Sequence, residues 1–352
     1  MTELLKRRAT LLGIGVALML VVAGATSGWS RFFQAIFAGI NQGAMIALVA
    51  LGYTMVYGVL KLINFAHSEV FMMAAYFGLI FIAFLVGDPS SLHNMIVVVH
   101  KSWTFGGLGG HPLVATAVAT VLAMGAAACL GIGIERVAYR PLRGRGKGAL
   151  GRVTPLVTAL GMSVLLQNLA QLLYTAKPRP YPQVLTGVVH LPVLGTLSSS
   201  RVLILVTAII VMASLELIVK RTWFGKAMRA LSANEEAAKL MGIPTSRVIA
   251  LTFALGSSLA ALGAVLFCLD QSQVYPTMGV IIGTRAFVAA VLGGIGSITG
   301  AMLGGLLIGI IGELVKLTPY SGGVDVLVFL VLILVLLLKP AGLLGSTRVE
   351  KV

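Results

Sequence analysis

A short polar segment in the first half of the chain carries side chains that could transfer protons or bind a small polar solute. It is LINFAHSEV, residues 62–70, and its chemistry lies in Asn64, His67 and Glu69. The runs on either side are apolar enough to lie in lipid, where a charged side chain costs about 3 kcal/mol on insertion scales. These groups must therefore face protein, water or the membrane boundary, and they could form a proton relay or part of a solute path. Equally, Asn64 could cap a helix that begins near Phe65, with Glu69 close to the positive end of its dipole.

The sequence does not predict a metal or cofactor site. His67 and Glu69 stand two residues apart, so on a helix their side chains point in different directions, and no third ligand is evident. The two cysteines, Cys129 and Cys268, lie in separate apolar runs and indicate neither a disulfide framework nor a metal centre. The sequence GRGK at residues 144–147 lacks the spacing of a nucleotide-binding P-loop and the hydroxyl residue after its lysine.

Three further candidates for a solute path lie in the second half of the chain: Arg285, Gly294 and Gly296. Arg285 could attract the carboxylate of an amino acid, but a simple ion pair with Asp270 is the favoured expectation for a cation in this setting. The two glycines belong to the Gly-rich break GGIGSITG, residues 293–300. They either permit close helix packing or mark a broken helix that lines the path.

A polar stretch at residues 220–247 is predicted to be a loop outside the membrane that contains a short helix. Ser232 stands three residues before Glu235, which is the spacing of a capping box. Apolar residues then recur at i, i+3 and i+4, and Gly242 is placed to end the helix in a left-handed conformation, before Pro244. An apolar stripe on such a helix has no core of its own to cover, so it suggests a docking surface for a partner. The alternative is a solvated basic loop.

The residues assigned to this docking surface are Ser232, Glu235, Glu236, Ala237, Ala238, Leu240, Met241 and Gly242.

Composition places the whole chain in the membrane. Hydrophobic residues make up 58% of the 352 residues and charged residues only 11%, whereas a soluble domain carries roughly 25% charged residues. The mean hydropathy is +1.00. The net charge of +15 could suggest a nucleic-acid partner, but the basic residues collect between apolar runs, which indicates orientation by the positive-inside rule. An all-α polytopic membrane protein with no nucleic-acid partner is therefore expected.

The apolar runs predict about eight to ten transmembrane helices in a single domain over residues 1–352, with both termini cytosolic. Residues 9–26 form the first run, which could also be a cleaved leader. The long run 31–60 is expected to be tilted or broken, and the short run 279–293 could be a half-helix. An apolar run with a polar or Gly-rich break occurs twice, around LINFAHSE and GGIGSITG, which suggests a possible internal inverted repeat.

Several segments resemble the permeases of bacterial branched-chain amino-acid ABC importers, in particular the first of the two unlike permease subunits. They are GYTMVYGVLKLINFAHSE (52–69), ERVAYRPLR (135–143), TALGMSVLLQN (158–168), RVIALTFALGSSLAALGAVL (247–266) and RAFVAAVLGGIGSITGAMLGGLLIG (285–309). The stretch from Glu236 to Gly242 is similar to the EAA loop of ABC importer permeases, the short helix that seats in a groove of the ATPase. The resemblance covers about residues 40–344.

This resemblance implies a permease heterodimer with a second, related permease, two cytosolic ATPases and an external solute-binding protein, in the bacterial plasma membrane. It implies a neutral branched-chain amino acid as solute, with urea, short amides and aromatic acids as alternatives within the family. The absence of a P-loop agrees with an ATPase on another chain. Rivals of other classes are an ion-coupled carrier that uses Glu69, His67 or Glu313, and a membrane-embedded enzyme, for which the sequence offers no nucleophile–base arrangement.

Overall fold

The computed structural model describes residues 28–87, 107–142, 149–182, 187–191, 195–319 and 321–345, and within them the chain is almost entirely helical. The helices are α1 Trp29–Leu60, α2 His67–Val86, α3 Pro112–Ile134, α4 Ala149–Tyr174, α5 Ser199–Arg221, α6 Trp223–Ala233, α7 Glu235–Leu240, α8 Thr245–Gln271, α9 Met278–Gly293, α10 Ile298–Val315 and α11 Val324–Leu338. A π-helical turn, Glu135–Tyr139, and a 3-10 turn, Arg140–Leu142, extend α3, and a 3-10 turn at Ser321–Gly323 precedes α11.

Two small antiparallel ribbons accompany the helices. Strand β1 (Arg179–Pro180) pairs with β4 (Gln273–Val274), so that Arg179 lies opposite Val274. Strand β2 (Val188–Leu191) pairs with β3 (Gly195–Ser198). The first ribbon ties the segment after α4 to the segment after α8, which fixes one end of the helix bundle.

The expectation of an all-α polytopic membrane protein is confirmed. Eight helices among the described residues are long and apolar enough to cross a membrane, and α9, with 16 residues, is a shorter apolar helix. The apolar run 9–26, with its alternative as a leader, lies outside the described residues. The run 31–60 was expected to be tilted or broken, and helix α1 continues unbroken through 32 residues, which excludes the second alternative; the chain breaks after Leu60 instead.

The centre of the bundle is formed by α1, α2 and α8, which are mostly buried, whereas α4 and α11 expose most of their surface. Helices α1 and α10 approach so closely that they need glycine on both sides, at Gly39 and Gly43 on α1 and at Gly305 and Gly309 on α10. A Cβ at Gly43 would lie 2.7 Å from the Cα atom of Leu306. Small residues four apart on both helices are the usual means of close packing in lipid, where the hydrophobic effect cannot drive helices together.

The bundle contains two units of similar construction. Helices α1 and α8 each end in a left-handed residue with φ of 56°, Lys61 and Ser272, and a break follows before a shorter helix begins. Within the first unit α2 packs on α3 and α4, and within the second α9 packs on α10 and α11. Helix α3 lies against α8, and α10 lies against α1 in the same way.

The two units run in opposite directions. Where α1 and α8 cross, Gly52 meets Gly256 and Met45 meets Gly263, so a later residue on one helix contacts an earlier residue on the other. This antiparallel crossing is the pattern of an inverted repeat.

In the repeat predicted from the sequence, the break LINFAHSE pairs with the break GGIGSITG, and the second member of this pair is wrong. The counterpart of residues 61–66 is 272–277, and GGIGSITG instead forms the tight turn between α9 and α10. In this turn Gly294 and Gly296 have φ of 103° and 95°, and the Ser297 side chain accepts a hydrogen bond from the Gly300 amide at 3.1 Å. Glycine-rich sequence is compatible with either a turn or an interrupted helix, and the backbone partners decide which forms.

Candidate functional site

The break after α1 carries the first group of predicted site residues into the centre of the bundle. Asn64 is buried, and its Oδ1 atom accepts hydrogen bonds from the Tyr139 hydroxyl at 2.8 Å and from the Ala66 amide at 3.2 Å. The predicted helix start near Phe65 lies two residues too early, since α2 begins at His67. Asn64 therefore shapes the turn before the helix and joins it to the end of α3, rather than capping the first turn of α2.

His67 is enclosed by α1. Its ring lies edge-on to Tyr53, with centroids 4.8 Å apart, and only 1% of the residue is exposed. Gly52 makes this possible, because a Cβ there would lie 2.2 Å from Nε2 of the histidine. Among the described residues, Nε2 has no hydrogen-bond partner. The imidazole is thus held in place by packing, with Nε2 directed at Gly52 of α1.

Glu69 lies in the first turn of α2, as predicted, and is fully buried. Neither carboxylate oxygen makes a hydrogen bond of good geometry to a described residue, although the hydroxyls of Ser68 and Ser163 lie near the carboxylate. Buried polar groups in native proteins are almost always hydrogen-bonded, so an unsatisfied carboxyl group points to water, a proton or a solute as its partner.

The second unit approaches this cluster through glycines of α9. A Cβ at Gly279 would lie 2.6 Å from the backbone oxygen of Ser68 and 2.9 Å from Oε2 of Glu69. A Cβ at Gly283 would lie 2.2 Å from the Cβ atom of Ser68. The first turns of α2 and α9 therefore meet inside the bundle, one from each repeat. Neither glycine stands out in the sequence, because only the fold reveals how close the two helices come.

We call Asn64, His67, Glu69, Gly279 and Gly283 the intramembrane cluster.

The expected pairing of Arg285 with Asp270 is wrong. Arg285 Nε lies 2.7 Å from Oδ1 of Asp325 on α11, and Asp270 pairs instead with Arg201 at 3.2 Å. The reason is topological: α9 turns away from the end of α8 and packs beside α11, whereas the start of α5 lies at the end of α8. The Arg285 charge is therefore balanced by a carboxylate. Gly294 lies at the opposite end of α9 from the intramembrane cluster.

The C-terminal segment covers the turn that contains the two predicted path glycines. The amides of Leu343 and Leu344 donate to the carbonyls of Leu292 and Gly293 at 2.8 and 3.0 Å. A Cβ at Gly342 would lie 2.6 Å from Gly294. Gly294 thus serves close packing of this turn, which was one of the two interpretations of the glycine-rich break.

Helix α6 joins α5 to the predicted docking helix and is anchored by its own sequence. Thr222 caps it, accepting from the Gly225 amide at 3.3 Å, and a side chain at Gly225 would collide with Val219. The Arg229 guanidinium donates to the Val219 carbonyl, which fixes α6 against the end of α5. Ala227, Met228 and Leu231 form its buried side.

Helix α7 is short and exposed, about one and a half turns long, and its cap differs from the predicted one. Asn234, not Ser232, is the cap: its Oδ1 accepts from the Ala237 amide at 3.0 Å. Ser232 belongs to α6, where its hydroxyl accepts a hydrogen bond from Lys61 Nζ at 3.1 Å. The capping-box prediction fails because α6 runs on to Ala233 and leaves the next residue to start α7.

The side chains of α7 divide into one buried and several exposed positions. Ala238 is buried, whereas Leu240 and Met241 are 88% and 83% exposed. Ala237 and Glu236 are also exposed, and Glu235 pairs with Lys239 at 2.8 Å. The predicted apolar side therefore points away from the protein. Gly242 has φ of 79° and ends the helix in the left-handed conformation expected for it.

The chain is similar to known permeases over almost its whole length. The family described as the permease component of the branched-chain amino acid transport system matches residues 35–337. The high-affinity branched-chain amino acid transport system permease protein BraD of Pseudomonas aeruginosa is 40% identical over 334 residues, covering 92% of this chain and 98% of that protein. The corresponding permease LivH of Escherichia coli K12 is 38% identical over 325 residues, covering 91% and 98%.

A more distant similarity extends to a sugar permease. The ribose import permease protein RbsC of Bacillus subtilis is 29% identical over 139 residues, which cover 38% of this chain and 43% of that protein. No solved structure matches the chain. The match of the family over residues 35–337 and the near full-length identity to two of its permeases place this chain in the family of branched-chain amino acid transport system permease components.

Proposed function

We propose that the chain is a transmembrane permease subunit of an ATP-driven ABC importer, and that it moves branched-chain or related neutral amino acids by alternating access. The observation that carries this proposal is the near full-length similarity to permeases named for high-affinity branched-chain amino acid transport. The inverted pair of units supports it, since repeated units with opposite direction are the usual basis of alternating access.

The intramembrane cluster is proposed as part of the solute path. Helices α2 and α9 both begin inside the bundle, so the positive ends of two helix dipoles lie near its centre. Discontinuous helices of this kind commonly place their N-termini at the charged group of a substrate. The unpaired Nε2 of His67 and the carboxyl group of Glu69 add polar atoms at the same level. A small zwitterion would find partners there for both of its charges.

The α6–α7 segment is proposed as the contact with an ATPase. Leu240 and Met241 form an apolar surface that nothing in the described part of this chain covers. The hydrogen bond from Lys61 to Ser232 connects the end of α6 directly to the break after α1. A push on α7 would thus reach the segment that positions Asn64 and His67.

The proposed assembly contains a second related permease, two cytosolic ABC ATPases and an external solute-binding protein in a bacterial plasma membrane. Residues 220–247 would face the cytosol, as their basic character favours, and both termini would then be cytoplasmic. The exposed faces of α4 and α11 offer surface for the second permease or for lipid.

The test is reconstitution of the assembled complex in vesicles, with leucine uptake measured against ATP and against the binding protein. Uptake that needs both supports the proposal. Accumulation of leucine by this chain alone, without any nucleotide-hydrolysing subunit, would overturn it. If urea or short amides were taken up in place of leucine with the same ATP dependence, the proposed mechanism would stand and the proposed solute would be wrong.

A second candidate is an ion-coupled carrier, favoured specifically by the buried and unsatisfied carboxyl group of Glu69. A Glu69→Gln variant keeps the shape of the side chain and removes the titrating proton. If the importer proposal holds, this variant weakens solute binding, because it removes one charged partner of the solute, but collapse of the proton gradient has little effect on ATP-driven uptake by the wild type. Loss of uptake on both changes would favour the carrier.

A further inference from the structure

A cavity of about 480 Å³ opens between the end of α3 and the beginning of α8, and no residue of the intramembrane cluster lines it. Its lining consists of Ile132, Glu135, Arg136, Arg140, Ser246, Arg247, Ala250 and Leu251. Three of these side chains are arginines, and all three are exposed. Nothing in the proposed transport mechanism uses this cavity.

The lining of the cavity combines arginines with apolar side chains from both helices. Ile132 lies near the end of α3, Arg136 in the π-helical turn that follows, and Arg140 in the 3-10 turn after that. On α8, Arg247 lies one turn before Leu251. Residues four apart share one face of an α-helix, which explains the pair on α8, whereas at the end of α3 the lining itself shows that Ile132, Arg136 and Arg140 face the same cavity. The arginines and the apolar side chains of the two helices lie side by side and together form one amphipathic site.

The net charge of the site is positive. Glu135 also lines the cavity, but its residue is buried and already engaged in an interaction within the protein. Arginine guanidinium groups bind phosphate with several directed hydrogen bonds, and they lose less on desolvation than lysine does. Three arginines against one engaged carboxylate make a phosphate group the best-matched ligand.

The apolar wall decides between a free phosphate and a phosphate that belongs to a lipid. Leu251 is 48% exposed, and Ile132, the other large apolar side chain of the lining, is only partly buried. Helix α3 leaves most of its surface uncovered along the membrane-spanning length. A soluble anion would leave this surface bare, whereas acyl chains would cover it.

We propose that the cavity binds the phosphate headgroup of an anionic membrane phospholipid, with its acyl chains along the exposed apolar faces of α3 and α8. Basic pockets between transmembrane helices are a recognised form of lipid recognition, although the particular residues are set by each fold. A bound lipid would bridge the two helices, and α8 continues directly from the α7 segment. The site would make the position of α8 sensitive to the lipid around it.

The experiment uses the full chain, purified in detergent together with the subunits that accompany it. Phosphatidylglycerol or phosphatidylcholine is titrated into the micelles, and the melting temperature and lipid adducts in native mass spectrometry are measured. We expect phosphatidylglycerol to raise the melting temperature and to form adducts at concentrations where phosphatidylcholine does neither. Each single change, R136Q, R140Q or R247Q, should weaken the apparent affinity roughly fivefold.

Matched variants separate the site from general charge effects. R221Q removes an exposed arginine at the end of α5, outside the cavity, and should leave the phosphatidylglycerol response unchanged. If the triple glutamine variant does not fold, the triple lysine variant keeps the charge. It should then bind phosphatidylglycerol more weakly than wild type, and with a steeper loss as salt rises.

Four results would overturn the proposal. The first is an equal response to the two lipids, and the second is an unchanged response in R136Q/R140Q/R247Q. The third is an equal shift with glycerol phosphate or inorganic phosphate at the same concentration, since the site would then recognise a soluble anion. The fourth is loss of a co-purifying subunit from the variants with lipid binding intact, which would assign the arginines to a protein contact.

Discussion

Replacing the two exposed apolar side chains at the end of α7, Leu240 and the following Met241, by aspartate tests the proposed ATPase contact directly. In the variant L240D/M241D, the isolated chain should keep its stability, because the side chains are 88% and 83% exposed and surface substitutions usually change the free energy of unfolding by less than about 0.5 kcal/mol. A contact that buried both side chains would gain roughly 1.5–3 kcal/mol from each. Losing both would then weaken association by roughly a hundredfold or more, since each ~1.4 kcal/mol is a factor of ten.

The assay is co-purification of the ATPase with the permease, together with ATP-dependent leucine uptake in vesicles. The control is Leu344→Asp, which changes a half-exposed leucine at the same end of the bundle but outside α7. A second comparison is Ala238→Asp, which introduces a charge at a buried position and should lower the stability of the permease itself. The reasoning is refuted if L240D/M241D leaves both ATPase recovery and coupled uptake at the level of the Leu344 control.

Three further outcomes are expected. Gly279→Ala should destabilise the protein or shift α9, because its Cβ would lie 2.6 Å from a backbone oxygen of α2. Gly58→Ala should be tolerated, because its Cβ would have nothing within 4 Å. Thermal unfolding in detergent distinguishes the two variants. Asn234→Ala should cost about 1 kcal/mol by removing the cap of α7, and Ser232→Ala markedly less, as measured by proteolysis of the α6–α7 segment; equal effects would contradict the assignment of the cap. Burial raises the pKa of Tyr181 well above its usual value, so the folded state retains this proton at a pH where the unfolded chain loses it. Its contribution to stability is therefore full below about pH 10 and declines above it, and Tyr181→Phe should reduce the alkaline loss of melting temperature.

The local sequence was informative wherever one short segment decided the outcome. Membrane insertion follows from apolar runs whose length matches the bilayer, and the left-handed end of α7 follows from Gly242 and the proline after it. The first-turn position of Glu69 was also predictable, since a carboxylate is favoured near the positive end of a helix dipole. The cap of α7 was misassigned by two residues, because Ser232 and Asn234 are both good caps and the length of α6 chose between them.

Contacts between distant segments were not predictable in the same way. Asp270 is nearer to Arg285 in sequence than Asp325 is, but the packing of α9 beside α11 brings Asp325 to the arginine instead. The repeat was suspected from two polar breaks, but the backbone equivalence joins residues 61–66 to 272–277. Nothing in the composition of 272–277 resembles LINFAH, so pattern comparison could not find it.

By itself, the sequence determined that the chain lies in the membrane as a helical bundle, that it belongs with a family of permeases, and that a short helix interrupts its second half outside the lipid. Those properties depend on hydropathy, on turn residues and on motifs that are contiguous along the chain. Only the tertiary structure decided that Ser68 and Glu69 meet the first turns of α9, that Leu240 and Met241 at the end of α7 point outward, and that three arginines share one cavity. These depend on which helices pack together, and that choice is made by glycine contacts between segments hundreds of residues apart.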